Sequence, residues 1–112
     1  MEHIEFGDFL KVKMHIGTIL RVEEFTEARK PAYKLFIDFG EEIGEKKTSA
    51  QITTLYQPSD LIGRQIVAVT NFPPKQIGKF MSEVLVLGAQ EGNGTVTLLE
   101  LGSGVPNGTR IA

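Results

Sequence analysis

Asn71-Phe72-Pro73-Pro74-Lys75-Gln76-Ile77-Gly78-Lys79-Phe80-Met81-Ser82-Glu83-Val84-Leu85-Val86-Leu87-Gly88 joins two apolar runs, Ile66 to Thr70 and Val84 to Leu87. Both runs are apolar on consecutive residues, where a strand with one wet face would alternate. Each is therefore expected to be a strand buried on both faces. A small domain has little material to cover two such strands, so Val84, Leu85, Val86 and Leu87 are also expected to contribute a contact between subunits. The segment between the runs is rigid at Pro73-Pro74 and basic at Lys75 and Lys79. It is expected to be a loop and a working surface.

Outward from this stretch, short strands dominate. Tyr33, Leu35, Ile37 and Phe39 share one face of a strand over 33–39, and Lys34, Phe36 and Asp38 share the other. Ile16, Ile19, Leu20 and Val22 mark a strand over 14–25, and a third is expected near Lys47 to Ile52. Further strands are read at 65–71, 84–90 and 95–101, the last two flanking the hairpin signal Glu91-Gly92-Asn93-Gly94. Helix is confined to 5–11, where Phe6, Phe9 and Leu10 have helical spacing, and to Pro58–Gly63, with Ser59 or Asp60 as cap. Val105-Pro106-Asn107-Gly108-Thr109 is a turn in the tail. This order predicts an all-β chain: a five-stranded Greek-key barrel of the OB type with short helices and N- and C-terminal extensions. Other small barrels and sandwiches share the pattern.

A length of 112 residues suits one domain spanning 1–112, with enough chain for a single core. Twelve Lys and Arg stand against 14 Asp and Glu, which weighs against a dedicated nucleic-acid binder while permitting a local basic groove. With no cysteine there is no thiolate metal site, cysteine nucleophile or disulfide. The acidic start, Met1-Glu2-His3-Ile4-Glu5, does not resemble a signal peptide, and no run nears the about 18 apolar residues of a membrane span. A cytoplasmic protein without membrane insertion is expected. Asn93-Gly94-Thr95 and Asn107-Gly108-Thr109 read as Asn-Gly turns rather than glycosylation sites.

Catalytic constellations are missing. His3 and His15 lack ligand spacing, and the acidic cluster Asp38, Glu41, Glu42 and Glu45 misses the calcium-loop pattern. No catalytic residue, metal site or cofactor is expected, and a binding module is favoured over an enzyme. Basic residues concentrate at Arg29-Lys30, Lys34, and Lys75 with Lys79. Lys34 and Phe36 pair a cation with an aromatic platform, which suits single-stranded nucleic acid by phosphate contact and stacking, or an extended peptide. Phe80 and Met81, with Phe72, form a soft apolar patch if exposed and simple core if buried. The expected binding set is Lys34, Phe36, Lys75, Lys79, Phe80, Met81 and Ser82.

Several longer segments carry a resemblance. They include His15-Ile16-Gly17-Thr18-Ile19, Glu23 through Leu35 with Ala28-Arg29-Lys30-Pro31-Ala32-Tyr33-Lys34, Ile37-Asp38-Phe39-Gly40, and Ser49-Ala50-Gln51-Ile52-Thr53. Asn71-Phe72-Pro73-Pro74, Ser82 through Gly88 and Val105-Pro106-Asn107-Gly108-Thr109 complete the set. Over nearly its whole length the chain resembles the tRNA-binding-domain superfamily of OB folds, and within it the CsaA family of protein-export chaperones. The resemblance implies a homodimeric cytoplasmic chaperone that holds unfolded precursor proteins before export and contacts the SecA translocation motor. It leaves tRNA as the alternative ligand. The tRNA binders usually carry Asn-Ala-Asp-Lys-Leu after the first strand and Ser-x-Gly-Met-Leu-Leu where this chain has Ser82-Glu83-Val84-Leu85-Val86-Leu87. Glu83, if it faces the groove, would repel phosphate.

Overall fold

The computed structural model describes residues 1–112. Helix α1 (Phe6–Leu10) precedes strand β1 (Met14–Glu24), which is followed by β2 (Tyr33–Asp38) and β3 (Glu45–Ala50). Helix α2 (Pro58–Leu61) leads into β4 (Gln65–Val69), then β5 (Lys75–Ile77), β6 (Phe80–Ser82), β7 (Leu85–Val86), β8 (Gly88–Gln90) and β9 (Val96–Leu98). Five strands form one antiparallel sheet in the order β3-β2-β1-β4-β7, curled into a nearly closed OB-type barrel. Two small hairpins, β5-β6 and β8-β9, are appended to it.

Strand β1 serves two sides of the barrel. Met14–Thr18 pair with β4, and Thr18–Glu24 pair with β2. The register slips between Ile19 and Arg21, a bulge at Leu20 that bends the strand so that both pairings are met. Gly17 faces inward on this bend. A Cβ there would lie 2.6 Å from Ile37 Cγ2 and 2.7 Å from Phe39 Cδ1, so only glycine lets Phe39 close against the strand. The other edge of the first half of β1 is taken by the C-terminal tail. Ile16 N–H donates to the Thr109 carbonyl at 2.9 Å, and Gly108 N–H donates to the Ile16 carbonyl at 2.7 Å.

The alternation read in 33–39 appears as expected: Tyr33, Leu35, Ile37 and Phe39 are buried, and Lys34, Phe36 and Asp38 are half-buried. Leu61 of α2 is fully buried and joins their cluster with Ile19, Ile66 and Ala68. The cap of α2 differs in detail. Asp60 accepts from Gln57 N–H at 2.8 Å, so the carboxylate sits at the third helical position and Gln57 is the cap.

The two apolar runs behave differently from each other. Ile66, Val67, Ala68 and Val69 are all buried within one chain, so this run needs no second subunit to cover it. The run Val84 to Leu87 is not buried on both faces: Val84 is buried, Val86 packs partly against the core, and Leu85 is 49% exposed. The expected strand over 84–90 is divided into β7 and β8: at Leu87 the N–H still donates to the Val67 carbonyl of β4 at 2.9 Å, while the carbonyl accepts from Leu99 N–H at 3.3 Å. The expected basic loop is itself a hairpin. β5 and β6 pair Lys75 with Ser82 and Ile77 with Phe80, and Gly78 turns the chain with φ +61°.

Candidate functional site

The barrel is closed by side chains where a strand ladder is missing. Strands β3 and β7 are the two ends of the sheet, and four antiparallel steps between them make them parallel. Glu83 N–H donates to the Lys47 carbonyl at 2.8 Å, and its carboxylate accepts from Lys47 N–H at 3.0 Å. Ser49 N–H donates to the Ser82 hydroxyl at 3.1 Å; that hydroxyl lies 2.9 Å from Thr48 Oγ1, which donates to the Val84 carbonyl at 2.6 Å. Ser82 and Glu83 thus serve as seam residues. The Ser82 hydroxyl has partners on both sides, and one Glu83 oxygen is occupied by a main-chain donor.

Beyond this seam the two strands separate and leave a groove of about 780 Å³. Ser49 to Ile52 form one wall and Val84 to Gly88 the other, with Phe72 and Pro73 from the preceding loop, Lys75 from β5, Ser82 and Glu83 at the seam end and Val96 from β9 also lining it. The surface is mainly apolar. Phe72 and Leu85, 51% and 49% exposed, present large hydrophobic side chains without a covering element. Hydrophobic side chains interspersed with Ser49, Gln51, Lys75, Ser82, Glu83 and Gln90 offer apolar contacts together with polar anchors, as a groove for an apolar ligand segment requires.

A second aromatic cluster lies apart from the main core. Phe80 is 8% exposed, and its ring meets that of Phe25 edge-on at 5.3 Å between centroids, with Ala32 beside them. Of the two alternatives the sequence left open for Phe80, the core one holds: the β5-β6 hairpin folds it inward against the β1–β2 connection, while Met81 beside it stays exposed. Two cations stand over it, Lys34 Nζ at 5.3 Å and Lys47 Nζ at 5.2 Å from the ring centroid, with Lys34 also 4.8 Å from Phe25. The Lys34 side chain is only 19% exposed and pairs with Glu27 at 3.5 Å. The Glu27 carboxyl is held below the usual range, first by the Thr26 hydroxyl, then by its own backbone N–H, with Lys34 adding to this.

Phe36 is half-buried beneath the Arg21 guanidinium, which lies 3.8 Å over its ring, so its outer face is already occupied. Lys75, Lys79 and Met81 are exposed on the hairpin, and neither lysine joins an ion pair. The structure therefore brings Lys75, Ser82 and Val84 to Leu87 together at the groove, and Lys34 with Phe80 at the second cluster. It does not unite all of them in one surface. Lys47, Phe25 and Ile52 were missed. Lys47 had a legible signal, since it immediately precedes the buried Thr48 on a period-two strand; Phe25 and Ile52 acquire their positions only through distant partners.

His15 borders the tail, with Nδ1 2.7 Å from the Thr70 hydroxyl. Burial lowers its pKa from the ordinary value, and Arg110 and Lys13 add to the shift. No three His, Cys, Asp or Glu residues are grouped to hold a metal ion, and no helix is long and apolar enough to cross a membrane.

Residues 14–110 match the family model described as a putative tRNA-binding domain. Methionine–tRNA ligase 1 of Bacillus anthracis is 32% identical over 110 residues, covering 98% of this chain and 16% of the ligase. The chain spans less than a fifth of the length of the curated relatives it matches. The crystal structure of the chaperone CsaA from Bacillus anthracis is 55% identical, with a TM-score of 0.94 over 99% of this chain and 100% of that one. The CsaA chaperone of Picrophilus torridus is 53% identical, with a TM-score of 0.90 over 98% and 100%.

Proposed function

From the premise that this chain belongs to the tRNA-binding-domain family, alongside the CsaA chaperones, we propose that it is a homodimeric cytoplasmic chaperone that binds unfolded polypeptide. The observation that carries this is the apolar groove beside the seam, with Phe72 and Leu85 uncovered at its margin. An unfolded chain offers apolar side chains that gain by leaving water, roughly 25 cal/mol for each Å² buried. The clients in this proposal are precursor proteins awaiting export, handed to the SecA motor. The chain acts as a binding module rather than an enzyme.

The test is suppression of aggregation of a chemically unfolded client across a salt series. Suppression at stoichiometric amounts, weakly dependent on salt, is expected; none at that ratio rejects the proposal. Light scattering at micromolar concentration is expected to return a dimer mass.

A tRNA-binding reading is favoured by one specific observation: Lys75 and Lys79 stand free on the β5-β6 hairpin. Lys34 and Lys47 lie over Phe80 of the same hairpin. If this surface binds tRNA, log affinity falls with log salt at about −0.7 to −0.9 per phosphate contact. Reversing Lys75 and Lys79 to glutamate then abolishes the gel shift; an unchanged shift sinks the assignment.

A further inference from the structure

We propose that the groove takes its polypeptide as an added β-strand, hydrogen-bonded to the main-chain edge that β7 leaves open at Val86. This rests on the groove binding polypeptide at all, and adds the conformation and register in which it does so.

Main-chain groups along a strand point alternately to its two edges. Leu87 N–H donates to the Val67 carbonyl at 2.9 Å, so Leu87 faces β4, and Leu85, two residues earlier and paired with Val69, faces the same way. Val84 and Val86 therefore face the opposite edge. Val84 confirms the parity, because its carbonyl is the acceptor for Thr48 across the seam. Val86 is the next residue of that set. Its N–H and C=O point to where β3 has diverged, and neither β3 nor any side chain bonds them. β7 is the last strand of its sheet, so an unpaired donor and acceptor border an apolar groove.

An extended segment is the occupant that meets both features. Its main chain supplies the missing donor and acceptor, and its alternate side chains enter the groove, which is strand addition at a sheet edge. A helix satisfies its own main-chain groups and would leave Val86 unpaired. The charge at the groove refines the class. Lys75 and Glu83 both line the groove, and neither joins an ion pair, so a segment with apolar residues at every second position and an acidic residue placed at the Lys75 end, away from Glu83, fits best.

The test uses a fluorescent peptide of alternating valine and threonine with an aspartate at one end, made as a series carrying one backbone N-methyl group at successive positions. Strand addition predicts that affinity falls roughly three- to tenfold at every second position and little between. Val86→Pro removes the outward N–H while sparing the bonds of Leu85 and Leu87 to β4, and should weaken binding by a similar factor. Val86→Ile should not. If Val86→Pro fails to fold, the N-methyl series still decides. Equal affinity across that series overturns strand addition and leaves polypeptide binding standing. Absence of binding by every peptide, including the unmethylated one, overturns both. A Val86 amide already protected from hydrogen exchange in the free dimer assigns the edge to a second copy and also overturns the proposal.

Discussion

The hydroxyl of Thr48 donates to the carbonyl of Val84 across 2.6 Å, at the point where two parallel strands meet without a ladder. Ser82 lies on the other side of Thr48, so hydroxyls relay hydrogen bonds from Ser49 N–H to Val84. In a buried setting such a chain reinforces itself, and losing one member leaves the rest unpaired. The groove begins where this seam stops, which ties the stability of the barrel to the shape of the site.

Thr48→Val keeps the volume and deletes the donor. A loss of about 1–3 kcal/mol is expected, because the Val84 carbonyl stays buried without a partner. Urea unfolding should show a lower midpoint with unchanged slope.

Phe80 and Phe72 lie in one segment and should respond oppositely. Phe80→Ala removes the edge-on partner of Phe25 and should cost about 3 kcal/mol of stability. Phe72→Ala should stay within about 0.5 kcal/mol of the parent, since its side chain is half exposed, yet should weaken client binding. Thermal melts and aggregation assays on both variants separate the two effects.

Gly17→Ala places a methyl group within 2.6 Å of Ile37 Cγ2 and 2.7 Å of Phe39 Cδ1. Overpacking of this kind costs about 1–3 kcal/mol. The variant should melt lower, with chemical-shift changes centred on Ile37 and Phe39.

His15 gives the fold a mild acid sensitivity. Its folded pKa lies below the unfolded one, so the native state binds fewer protons and stability rises with pH between the two values. The contribution is fully present above the ordinary histidine pKa of about 6.5 and is lost as pH falls through it toward the folded value. The midpoint of denaturant unfolding should decline on acidification through this window, and the decline should be shallower in His15→Gln.

Much of the barrel was legible because strand signals are local. The period of two over 33–39 placed Tyr33, Leu35, Ile37 and Phe39 inward and Lys34 outward without reference to any other segment. The consecutive apolar residues Ile66 to Val69 likewise marked a central strand. The site was less legible. Val84 to Leu87 has the same apolar character, but β7 lies at the end of the sheet, so Leu85 has no second layer above it. The Lys75–Ser82 hairpin was read as a loop because each arm is three residues long and mixes polar with apolar residues.

By itself the sequence determined the existence of the longer strands β1, β2 and β4, the Asn-Gly turns, and the inward face of β2. These follow from chain stiffness, turn chemistry and the alternation of side chains, all properties of neighbouring residues. Only the tertiary structure decided that Phe80 is buried while Phe72 is exposed, that Ser82 and Glu83 close the barrel, and that Val86 is left with an open edge. Each of these depends on a partner far along the chain: Phe25 for Phe80, Thr48 and Lys47 for the seam, and the divergence of β3 for Val86. Burial and hydrogen-bond satisfaction are settled by what packs opposite a residue, and local pattern carries no record of that.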